Sequence, residues 1–172
     1  MNELDEIWSK MLTRAVENAR SSGRHDVADY LTLKATNDAI RQTGTAWLFD
    51  TVLEIAGEAN RSNSSISIER HDPHNFAWRN SNMAGSMLRL RYGVRCLTVE
   101  AGWTRTPADG FMRGGALAFA RITHFGMAKQ NAELVLLQSD TLPAWHMLRD
   151  EKAGDHFRSE HMLGHFRSFL GE

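Results

Sequence analysis

The hydrophobic period of this chain changes once, and that switch limits what it can fold into. Before residue 61 the apolar side chains recur every three or four positions; after RSNSS, residues 61 to 65, they alternate. The first period belongs to a helix face and the second to a half-buried strand. Helices segregated from strands define an α+β fold, helices packed on a curved antiparallel sheet, rather than an interleaved parallel one.

Residues 3 to 21 read as an amphipathic helix with Leu4, Trp8, Met11, Leu12, Ala15, Val16 and Ala19 on one side. Asn2 is its expected cap, Glu3, Asp5 and Glu6 suit its positive end, Arg20 suits the negative end, and Gly23 stops it. Asp26 caps a second, short helix to about Ala35, and Thr36 or Asn37 begins a third that runs to about Asn60. Gly44 lies inside the third and marks a break or a close crossing.

Beyond the switch, the pattern predicts about five strands: from Ile66, around Leu88 to Tyr92, Val94 to Arg105, Gly115 to Phe125 and Ala132 to Ser139. The TPADG segment, 106 to 110, is a turn, and strands joined this closely pair antiparallel. Residues 144 to 170 form a closing helix whose stripe is Met162, Leu163, Phe166 and Phe169 or Leu170. The expected organisation is a single domain, with a helical part over 1–60, a sheet over 64–140 and the closing helix.

Composition narrows the function classes. A net charge of −1 and a pI near 6.7 give no electrostatic case for a nucleic-acid or membrane-surface binder. No apolar run reaches membrane-spanning length. The lone Cys96 and the absence of a basic-then-apolar leader point to the cytoplasm. Arginine outnumbers lysine 16 to 4, which fits a GC-rich bacterial genome and equally a use for planar guanidinium groups.

Two histidine pairs and a set of arginines carry the candidate chemistry. ERHDPHNF, residues 69 to 76, holds His71 and His74, two candidate ligands for a divalent metal, with Glu69, Asp72 or Glu100 to complete the set. The competing reading makes it a strand end and a proline turn. His161 and His165 stand four apart on one face of the closing helix. Arg89, Arg91, Arg95 and Arg121 sit in strands, where guanidinium forks bind carboxylate or phosphate, with Trp103 as an apolar wall. Alternation divides these arginines between two faces, so not all of them serve one pocket. The glycine-rich tip from 102 to 115 is a candidate cover, and Cys96 reads as a small apolar residue.

Three expectations follow. The first is a small anionic ligand, or a partner's acidic group, held by the arginines in a pocket between sheet and helices. The second is a metal-dependent hydrolase centred on His71 and His74. The third is a homodimer joined through the first and closing helices, without catalysis.

Overall fold

The computed structural model describes residues 3 to 172, so the Asn2 cap lies outside the described residues. Two helices open the chain, α1 (Glu3–Ser21) and α2 (His25–Arg61). Seven strands follow, β1 (Ser67–Trp78), β2 (Ser81–Tyr92), β3 (Arg95–Trp103), β4 (Ala118–His124), β5 (Ala132–Leu137), β6 (Ala144–Arg149) and β7 (Lys152–His156). Helix α3 (Ser159–Leu170) closes it. The fold is α+β, and its strands form one antiparallel meander in sequence order. By contacts the chain divides into two compact units, 1–40 and 41–172, the boundary falling within α2.

Three sequence expectations are corrected. The second and third helices are one, because Gly44 does not break α2. A Cβ there would lie 2.7 Å from Leu136 Cδ2, so this glycine allows a close approach between α2 and β5. Trp145 Nε1 also donates to the Gly44 carbonyl at 2.8 Å. Residues 144 to 156 are a hairpin and not a helix, and its turn residues Asp150 and Glu151 both have positive φ, 48° and 66°. Finally, ERHDPHNF lies inside β1. Pro73 is tolerated because β1 is an edge strand with a bulge between His71 and His74.

Gly44→Ala is expected to destabilise by about 1 kcal/mol. The helix-propensity gain of about 1 kcal/mol is outweighed by overpacking against Leu136, which is 1% exposed. Urea denaturation checks this, and adding Leu136→Val should recover part of the loss.

The main core of the second unit lies on one face of the sheet. Leu88, Leu90, Leu97, Val99, Ala101, Ala120, Ile122, Leu134, Leu136 and Trp145 are buried there, on the side of Leu48, Phe49 and Val52 of α2 and Met162, Phe166 and Phe169 of α3. Three contacts identify this face: Arg70 over the Phe49 ring, Trp145 on Gly44, and Arg95 Nη1 donating to the Phe169 carbonyl at 3.3 Å.

The opposite face is concave. A flat seven-stranded sheet would set β1 and β7 roughly 29 Å apart. Instead Arg79, just past β1, pairs with Glu151 in the β6–β7 turn at 2.8 Å. Trp78 stacks on Phe119 of β4 with ring centroids 4.0 Å apart. One end of the trough is plugged by Trp78, Met83, Ala116, Phe119 and Val135, with Phe76, Met112, Leu137 and Leu148 around them.

Candidate functional site on the concave face

Register decides which polar side chains share the trough. Glu69 opposes Arg89, Arg89 opposes Thr98, and Thr98 opposes Thr123. In the next row His71 opposes Met87, which opposes Glu100, which opposes Arg121, which opposes Glu133. In the row after that His74 opposes Gly85, which opposes Gly102, then Phe119. Neither glycine accepts a side chain: a Cβ on Gly85 would lie 1.9 Å from the Ala101 carbonyl oxygen, and one on Gly102 2.6 Å from that of Ala84. The floor beside His74 therefore carries no side chain for two strands.

Glu100 is the centre of the buried part, 9% exposed. His74 Nε2 lies 2.8 Å from its Oε2, and Arg121 donates to its Oε1 from Nε at 2.8 Å and from Nη2 at 2.5 Å. Two charge-assisted donors from one guanidinium, together with the imidazole, compensate a carboxylate that would otherwise be costly to bury. Phe76 lies beneath both partners: its ring stacks on His74 at 5.6 Å, and the Arg121 guanidinium sits 5.8 Å from its centroid.

Glu69 is the centre of the exposed part. Arg89 approaches it at 3.8 Å, Arg91 at 4.0 Å and His71 at 3.6 Å. These separations are long and the groups half-exposed, so each pair is worth little. Beside Arg89 across the β2–β3 ladder is the half-buried Thr98, and opposite it on β4 the half-buried Thr123; Thr98 Oγ1 has Cys96 Sγ at 4.0 Å.

The sequence-predicted arginines and tryptophan thus separate. Arg89, Arg91 and Arg121 share the concave face, on the side of the sheet opposite α3 and the α2 segment of the second unit. Arg95 and Trp103 lie on the helix side. Arg95 bonds the end of α3, and Trp103 is 9% exposed between the guanidiniums of Arg41 and Arg105 at 5.9 and 3.9 Å. A pocket between sheet and helices holding all five does not form, because strand alternation sends them to opposite sides. His71 and His74 share the concave face but turn to separate carboxylates, Glu69 and Glu100. Among the described residues, no three His, Cys, Asp or Glu side chains gather as metal ligands do.

The second histidine pair has a different arrangement from the one its spacing suggests. His161 Nδ1 accepts the Arg158 N–H at 2.9 Å and so caps α3. His165 reaches the buried His124 of β4, with Nδ1 and Nε2 2.9 Å apart. Burial lowers the pKa of both, that of His165 to about 4, with His124 and His161 adding to the effect. His124 Nδ1 is buried with no partner among the described residues.

A cavity of about 570 Å³ flanks the β1–β2 ribbon beside Asn75, Asn82 and Asp109. Asp109 is committed to Thr106, accepting from its N–H and hydroxyl at 3.0 and 2.9 Å, which holds its carboxyl below the usual range. Among the described residues lining that groove, Asp109 is the one with a charge.

The fold and trough together define an α+β chain with a charged, concave antiparallel sheet. Comparison with protein-family models, with curated proteins and with solved structures finds no match for this chain. Among the described residues no helix is long and apolar enough to cross a membrane.

Proposed function

We propose that the concave face binds a small anionic ligand between Arg89 and Arg121, over the hydroxyls of Thr98 and Thr123. The observation that carries this reading is the pair of half-buried threonines, register neighbours on one face and flanked by guanidiniums. Arg89 and Arg121 stand two strands and two residues apart, about 12 Å at the backbone, a gap that two long side chains span around a carboxylate or phosphate. Among the described residues, three guanidiniums on this face pair with Glu69 and Glu100, Arg89 and Arg91 sharing the exposed Glu69 carboxylate. Glu133, opposite Arg121 on β5, repels an anion toward the Arg89 side. Met87, opposite Glu100 in the second row, adds an apolar side chain to this face.

The test is calorimetric titration with inorganic phosphate, sulfate and small mono- and dicarboxylates. Arg89→Ala is expected to weaken the best of these about tenfold or more, the loss of a charge-assisted hydrogen bond. Its melting temperature should stay within about 2 °C, because the Glu69 pair is long and exposed. Absence of saturable binding at millimolar concentration, or equal binding by Arg89→Ala and Thr123→Val, would count against the trough as an anion site.

A further inference from the structure

Unit 1 leaves an apolar stripe uncovered. On α1, Leu4, Ile7, Trp8 and Met11 are 71%, 55%, 67% and 57% exposed, although they recur at the spacing of a buried helix face. The less exposed positions of the same helix are Leu12, Val16 and Ala19, a separate stripe rotated from the first. On α2, Tyr30 and Leu33 are also exposed, 63% and 61%.

We propose that a second copy of this chain covers the α1 stripe, in an antiparallel α1–α1 pair about a two-fold axis between Ile7 and Trp8. Area is the first argument. With about 200 Å² for a fully exposed large side chain, the four stripe residues leave on the order of 500 Å² open. Two copies together then bury about 1,000 Å², the threshold for a specific interface.

Charge is the second argument, and it selects the direction. Glu3, Lys10 and Arg14 flank the stripe on one side, spaced seven and four residues apart. About the proposed axis Leu4 meets Met11 and Ile7 meets Trp8 of the partner copy. Glu3 then falls between Lys10 and Arg14 of the other chain. A parallel pair would set this flank against the opposite flank of the partner, around Trp8 and Ala15, where Glu3 and Lys10 meet no opposite charge. A two-fold interface must be complementary to itself, and this helix, acidic in its first turn and basic further on, is so only when antiparallel.

Sedimentation equilibrium of the full chain tests the proposal. The expected result is a dimer at 10 μM or so, with Trp8→Glu weakening association at least a hundredfold. Trp8 is exposed, so circular dichroism of the Trp8→Glu chain should match the parent, and its melting should match that of the parent diluted to monomer. Glu3→Arg should weaken the dimer, and Glu3→Arg with Lys10→Glu and Arg14→Glu should restore it. A monomer at 100 μM or so overturns the proposal. So does a dimer indifferent to Trp8→Glu, which places the interface elsewhere. Loss with Trp8→Glu but no effect of the charge swap overturns the antiparallel arrangement.

Discussion

Arg121→Ala is expected to lower folding stability by about 3 kcal/mol, the largest loss from any single charge in the trough. The reason is Glu100, which keeps its place under Met87 and the β3–β4 ladder whatever happens to its partner. Without Arg121, the carboxylate loses two donors and retains only His74, itself half-buried. The reverse change should cost less, about 1 kcal/mol for Glu100→Gln, because Arg121 is about one-third exposed and its guanidinium can turn to water. Removing both charges together, Arg121→Met with Glu100→Gln, should recover much of the loss, since a buried pair is costly to break and much less so to replace. Urea denaturation of the four proteins at pH 7.5 or so gives the comparison. An Arg121→Ala loss no larger than that of Glu100→Gln would mean that Glu100 is solvated through the trough.

Mild acid is expected to loosen the α3 end of the second unit. His124 and His165 have pKa values depressed by burial, His165 to about 4. In the unfolded chain both bind protons near pH 6.5. Between those values the unfolded state holds more protons than the native state, so stability is full above about 6.5 and falls as pH drops toward 4. Allowing for the partial exposure of His165, the loss at pH 4.5 is on the order of 2 kcal/mol. The geometry gives the physical cause. Each neutral ring already carries one N–H, and a proton added to the pair has no acceptor, because the two rings share one hydrogen bond and His124 Nδ1 has no partner among the described residues. His165→Gln keeps a group able to bond His124 and removes one titration. Its stability should change less between pH 6.5 and 4.5 than that of the parent. Equal slopes in the two proteins would assign the acid loss to other groups.

Much of the fold was legible because it rests on local periodicity. The 3.6-residue pattern before RSNSS gave helices, the alternation after it gave strands, and the short connections made those strands antiparallel. Gly44 was legible as an irregularity but not as to kind. Whether a helical glycine breaks the helix or admits a neighbour depends on what faces it, and Leu136 is 92 positions away. The β6–β7 hairpin was hidden because Ala144, Met147, Leu148 and Lys152 are helix formers taken alone. Pairing with the free side of β5 overrides that preference.

The site was less legible than the fold, and His74 shows why. Strict alternation puts Glu69, His71 and Pro73 on one face and sends His74 to the other. The bulge between His71 and His74 shifts the strand by one residue, so Glu69, His71, His74 and Phe76 all face the trough. Without that shift His74 would not meet Glu100. Arg89, Arg91 and Arg121 were named from residue type and from their alternation within strands. That Arg95 and Trp103 belong with the helices follows only once strand pairing assigns each face to a layer.

The sequence by itself determined which segments are helical or extended along most of the chain, which side chains alternate together within a strand, and that α1 carries an apolar stripe. These are consequences of backbone geometry within a few residues. Tertiary structure decided the register across strands, the bulge, and the curl that brings Arg79 to Glu151. Those depend on pairing and packing energies summed over residues far apart in the chain. A one-residue change in register alters every neighbour on a face while leaving the sequence pattern unchanged.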